Sequence, residues 1–212
     1  MISRLVFLST LSLIPAAFPA LAQDYKYEPV SAAPDGLPAA YTAVLQTAGH
    51  RVSGPGGAWC ELWPVKTLAA ATSGDASIAF GQPQGVLIGV LRFPNKGADR
   101  RGQVVPAGLY TMRYSLFPVD GAHSGVAPQR DFVLLTPIAS DADPAAKPSF
   151  EQLVQMSTKA SGTPHPAVLS IETPPSGAAV PSVVKEGEHD WVISMKVGDV
   201  TLSVIVVGKA EG

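Results

Sequence analysis

Two histidines and a few carboxylates are the residues best suited to chemistry in this sequence. His123 lies in Asp120-Gly121-Ala122-His123-Ser124-Gly125, which leads to Arg130-Asp131, and His165 lies in Ser161-Gly162-Thr163-Pro164-His165-Pro166. Two imidazoles together with Asp120 or Asp131 could hold a divalent metal. One imidazole with a carboxylate partner could exchange protons near neutral pH. Arg130 would add a fixed positive charge for binding an anion. As a metal signature the spacing is weak, because there is no H-x-H, no H-x-x-x-H on a helix and no third ligand close by. The simpler structural reading turns the chain at Asp120-Gly121, uses His123 to cap loop carbonyls and pairs Arg130 or Arg113 with Asp131.

Other chemistries lack parts. Cys60, in Trp59-Cys60-Glu61, has no neighbouring His, and Met112, Met156 and Met195 fall on scattered core-like positions, so a blue-copper loop is absent. No G-x-S-x-G occurs, Ser161-Gly162-Thr163 is not preceded by a strand, and Ser124 is merely adjacent to His123. Trp59, Glu61 and Trp63 alternate along one predicted strand and could form a glycan platform, but burial of the two indoles beneath a helix is the preferred reading. The residues therefore name no catalytic group and no cofactor beyond a divalent metal. They favour a non-enzymatic binding or accessory protein whose partner is a small molecule, a glycan or another protein. The alternative is a metal-binding or metal-dependent protein using His123 and His165 on loops at one end of the fold.

The elements that must position these residues are mostly strands. Runs rich in β-branched and aromatic residues occupy 58–65, 78–80, 86–93, 109–117, 131–136, 167–171, 191–197 and 200–207, separated by Gly, Pro and Asn. Along 109–117, Tyr110, Met112, Tyr114 and Leu116 share one face and Thr111, Arg113 and Ser115 the other, which predicts one core face and one wet face. Two short helices are expected, over 37–48 and over 150–159, the second opened by the capping box Ser149-Phe150-Glu151-Gln152 and closed by Gly162. The loop 94–106, with Lys96, Asp99, Arg100 and Arg101, reads as a solvated tip. The fold class is mainly β: an antiparallel β-sandwich of about seven to nine strands with two short helices. A single domain over 37–212 follows a flexible leader over 23–36.

Counting directions gives a placement for the candidate site. If 109–117 runs upward, the loop 120–130 is at the top and 131–136 descends. A helix of about 15 Å from Phe150 would climb back and bring 161–166 to the same end. The turn Gly198-Asp199 joins them there, and His189 goes to the opposite end.

Composition narrows the partners. The chain has 212 residues with 15 basic and 17 acidic side chains, so it offers no electrostatic footprint for nucleic acid. Residues 1–22 combine Arg4, an apolar stretch and Ala20-Leu21-Ala22, the layout of a secretory signal peptide cut after Ala22. A periplasmic or secreted chain with no membrane span after cleavage is the expectation. Cys60 is the one cysteine, so no internal disulfide can form, and a buried thiol is the simple reading.

The blocks Pro106-Ala107-Gly108-Leu109-Tyr110-Thr111-Met112-Arg113-Tyr114, Gly125-Val126-Ala127-Pro128-Gln129-Arg130-Asp131-Phe132 and Ser161-Gly162-Thr163-Pro164-His165-Pro166 resemble an uncharacterised exported bacterial protein family. The resemblance covers most of 49–171. It implies export and brings no activity, ligand or catalytic residue with it.

Overall fold

The computed structural model describes residues 24–69, 74–118 and 129–210. The segment 1–22, expected to be a signal peptide, lies outside them. Twelve strands and two α-helices follow in the order β1 (Lys26–Val30), α1 (Ala39–Val44), β2 (Gly49–Gly54), β3 (Gly57–Pro64), β4 (Leu87–Phe93), β5 (Gly97–Ala98), β6 (Val104–Val105), β7 (Gly108–Leu116), β8 (Asp131–Pro137), α2 (Phe150–Ser161), β9 (Val168–Ser170), β10 (Ser182–Glu186), β11 (Asp190–Val197) and β12 (Val200–Val207). A seven-stranded sheet runs β1-β2-β3-β4-β7-β8-β9 with every neighbouring pair antiparallel, and β10-β11-β12 form a three-stranded sheet. The expected antiparallel β-sandwich with two short helices is the observed architecture.

The smaller sheet closes the larger one along both edges. Ile171, just past β9, bridges to Val204 of β12, and β10 lies against β1. The apolar interior between the sheets takes Val52, Cys60, Leu62, Leu91, Met112, Val133 and Leu135 from one side and Ile193, Met195, Leu202, Val204 and Val206 from the other. On the outer face of the large sheet, α2 covers Phe132, Leu134 and Val168 with Leu153 and Phe150, while α1 lays Tyr41 on the other half. The α2 helix begins and ends as its sequence dictates: Ser149 and Gln152 form a reciprocal capping box, and Gly162 adopts the left-handed conformation at its end (φ 65°).

Four expectations need correction. Lys26–Val30, expected as part of a flexible leader, is β1, an edge strand paired in register with β2. Its Tyr25 neighbour packs on Trp59 and Trp191, so aromatic burial offsets the cost of ordering it. Residues 78–80 form no strand. The backbone N–H groups of Ala79 and Phe80 turn onto Asp131, and that of Ile78 onto the Asp75 carbonyl, instead of a neighbouring strand. The loop 94–106 contains the β5–β6 hairpin, and its Asp99 and Arg100 are buried: Asp99 accepts from the backbone of Arg101, Gln103 and Val168, and Arg100 grips Asp190.

The fourth correction is the course of the chain after β8. With β7 rising, β8 descends to Pro137, and the segment 141–148 then climbs over the outer face until Pro148 lies beside Gly85, level with Tyr114. The α2 helix therefore descends, with Ser157 bonded to Leu135 and Ala167, and β9 rises antiparallel to β8. Residues 161–166 consequently lie at the lower end, with the β5–β6 hairpin, and not at the end that holds Arg130 and Asp131. Gly198-Asp199 does reach the upper end, against Lys66 and Thr67.

Candidate functional site

Among the described residues expected to form a site, Arg130, Asp131 and His165 do not converge. Asp120, His123 and Ser124 lie outside the described residues. His165 is exposed at the lower end, linked by its carbonyl to Ser161 and Thr163. Pro118 and Gln129, which flank the undescribed segment, are at the other end of β8, about 20 Å away at 3.3 Å per residue. Asp131 is fully buried and turned inward, accepting from the N–H groups of Ala79 (2.6 Å), Phe80 (3.0 Å) and Gly81 (2.9 Å) and from the Tyr114 hydroxyl (2.6 Å). With four donors around it and no exposure, this carboxylate is committed to the loop 79–81 and to Tyr114. Arg130 does not pair with it. Its guanidinium bonds the Phe117 carbonyl and Asp75. Among the described residues, no group of three His, Cys, Asp or Glu side chains comes together.

The aromatic platform is also dismantled, for a reason alternation cannot reveal. Val52 pairs with Cys60 and Ser53 with Ala58, so Trp59 is the extra residue of a β-bulge and departs from the face of Glu61 and Trp63. Its indole enters the interior, edge-on to Phe93, and donates to the Val206 carbonyl at 2.8 Å. Trp63 remains on the outer face but is covered, donating to Ala32, and Gly49 lies so close under the indole that any Cβ would collide with it. Glu61 is clamped by Arg51 and Arg92. Cys60 is buried, and burial, then the Glu61 charge, pushes its thiol far above the ordinary range, so it is a packed apolar group rather than a nucleophile.

The most elaborate polar construction lies on the face expected to be wet. Thr111, Arg113 and Ser115 are all fully buried, because the segment 141–148 crosses over them as a strap. Arg113 engages all five of its N–H donors, four of them on that crossing. Nε and Nη2 grip the two oxygens of Asp141 at 2.6 and 2.8 Å, Nη1 bonds the carbonyls of Gly85 and Ala146, and Nη2 also bonds the carbonyl of Asp143. Thr111 donates to the same carboxylate, and Tyr41 of α1 donates to the Asp141 carbonyl at 2.7 Å. Burial, then the Asp141 charge, raises the Tyr41 phenol well above its ordinary value, so it stays a donor. With the Asp141 side chain and the strap's carbonyls turned inward onto one guanidinium, the side chains of Asp143, Pro144 and Lys147 are left on its flanks.

No family model, curated protein or solved structure matches the chain. The reading of the site therefore rests on this geometry. Those flanking side chains line two cavities, one on each side of the strap. The cavity of about 350 Å³ on the α1 side is bounded by Val44, Val65, Leu68, Val86, Leu87 and Lys147. The cavity of about 500 Å³ on the α2 side is bounded by Asp143, Lys147, Gln152, Gln155 and Met156. Both volumes suit small molecules. Sequence reading missed this site because Arg113 was assigned to a wet face. The usable signal was Asp141-Ala142-Asp143-Pro144, a turn-rich run too short of charge partners of its own for its first carboxylate.

Proposed function

We propose that the chain is an exported, non-catalytic binding or accessory protein that takes a small ligand in the cleft astride the strap 141–148. Export would follow removal of residues 1–22, leaving the protein in the periplasm or outside the cell. The observation that carries the reading is the combination of a strap fully tied by Arg113 with two adjoining cavities that share Ala146 and Lys147 as a common wall. A site whose backbone is already fixed loses little entropy on binding, which is what a recognition surface needs. Polar residues elsewhere act on the fold itself: Asp131 and Asp99 gather backbone N–H groups, and Arg100 holds Asp190. The register of β8 and β9 gives no support to a metal shared by His123 and His165.

A fragment screen on the mature chain, read by backbone amide shifts, tests the proposal. Binders should perturb 142–148 together with either 65–68 and 86–87 or the first turns of α2. Binders that map elsewhere, or none at all, would overturn it. Cell fractionation with N-terminal sequencing tests the address, and the expected first residue is Gln23.

A further inference from the structure

We infer that the cavity on the α1 side of the strap takes a free, single-chain amphiphile with a carboxylate head, a conclusion that rests on the strap cleft being the ligand site. Its wall is aliphatic, made by Val44, Val65, Leu68, Val86, Leu87 and Pro144, and the charged residues at its border are Lys66 and Lys147. Among the described residues no carboxylate lines it, although the whole chain carries a net charge of -2. Val44 is one of two large apolar side chains exposed among the described residues, and it stands on this rim at 36% exposure. An uncovered aliphatic wall beside unopposed ammonium groups is complementary to an apolar chain ending in an anion.

The two lysines differ in how they are held. Lys66 donates from Nζ to the Ala43 carbonyl at 2.7 Å and from its backbone N–H to Val44, so it ties off the C-terminal end of α1. Lys147 has no hydrogen bond or ion pair among the described residues, which leaves its ammonium for the head group. The donor set also selects the kind of anion. Two point charges, no guanidinium fork and no helix N-terminus suit a monoanion better than a phosphate, which needs more donors. A volume near the lower bound for ligand pockets fits a chain of about eight to ten carbons and excludes a two-chain lipid.

The test uses the mature chain with decanoate, decanol and decylammonium, each below its aggregation concentration, followed by calorimetry and amide shifts. Decanoate is expected to bind about fivefold tighter than decanol, the upper end of what one exposed charge pair contributes, with decylammonium weakest. Lys147→Glu should remove that preference while leaving the melting temperature unchanged, and Lys147→Arg should retain it. Equal binding of decanoate and decanol, untouched by Lys147→Glu, would overturn the head-group inference and leave the cleft as the site. Amide shifts at the strap with fragments but with none of the three amphiphiles would overturn the ligand class. Silence at the strap with every compound would overturn the cleft reading as well. Co-sedimentation with phosphatidylglycerol vesicles in place of monomer binding would overturn a free ligand.

Discussion

Asp131 and Asp141 are both buried acceptors, one plugging the upper end of the interior and one pinning the strap on the outer face. Asp131 is stabilised by neutral dipoles, three consecutive backbone N–H groups and a phenol, whereas Asp141 is stabilised by a guanidinium and a hydroxyl. The neutral arrangement needs no second buried charge and fixes a loop, 79–81, by its backbone alone. The charged arrangement buries two ions and recovers the desolvation cost through saturation of all five Arg113 donors. A region that only has to close a core can use the first, and a region that must hold a strap by several separated carbonyls needs a donor with five hydrogens.

Breaking the charged side should give the largest effect. Arg113→Ala leaves Asp141 buried without a counter-charge and three carbonyls without donors, so a loss of about 3–5 kcal/mol is expected in urea unfolding. Replacing the pair together, Arg113→Met with Asp141→Leu, should recover much of that stability yet leave amide exchange at 142–147 fast, because the strap carbonyls still lack partners. A double variant with a slow, protected strap would show that the guanidinium is not what holds it.

The neutral side should break more gently. Asp131→Asn sets an amide NH₂ against backbone N–H donors, at a cost of about 2–3 kcal/mol, and an unchanged urea midpoint would contradict the assignment of Asp131 as the loop's anchor.

Each side also has its own tyrosine, and pH separates them. Burial, then Asp131, raises the Tyr114 phenol far above its ordinary 10.0. Burial and Asp141 raise Tyr41 too, but Arg113 works the other way there. A phenol with a raised folded pKa keeps its proton longer in the folded state. Its contribution is whole below pH 10.0 and is lost as pH climbs toward the folded value. Melting temperature should therefore fall above about pH 10, and Tyr114→Phe should flatten that fall more than Tyr41→Phe. The reverse order would mean that the guanidinium gives Tyr41 no relief.

The smallest effect tests a carboxylate that received neither solution. Glu172 is half-buried, and burial followed by the Asp190 charge raises its pKa from 4.5. Its contribution is whole below pH 4.5 and lost as pH rises through the folded pKa. Glu172→Gln should raise the melting temperature slightly at pH 7 and leave it unchanged at pH 4. A drop at pH 7 would reveal an ion pair with Arg100 that outweighs the Asp190 repulsion.

Strands with dense β-branched composition, the capping box at Ser149 and the terminal hairpin were legible because each is encoded within a few neighbouring residues. What was not legible depends on partners far along the chain. Alternation separated Arg113 from Tyr114 correctly, but a polar face is wet only if nothing crosses it, and the crossing carbonyls come from Asp143 and Ala146. The end assigned to His165 failed for a related reason: the segment before α2, irregular and rich in Pro and Ala, makes the climb that was credited to the helix. The bulge at Trp59 displaced an aromatic that strict period-two counting put beside Glu61. The functional reading was the least legible, since the cleft is bordered by α1, by β4 and by the strap, elements that carry no shared motif.

Trp59 donates to the carbonyl of Val206, in the final strand, and Tyr25 at the opposite terminus packs on Trp191. The first and last strands are thus parts of one closure. Trp59 and Val206 stand 147 positions apart, so a long loop must close before the interior can exclude water. Such a topology, dominated by contacts between distant residues, folds slowly, and until the two sheets meet the chain remains an open polymer that can be threaded.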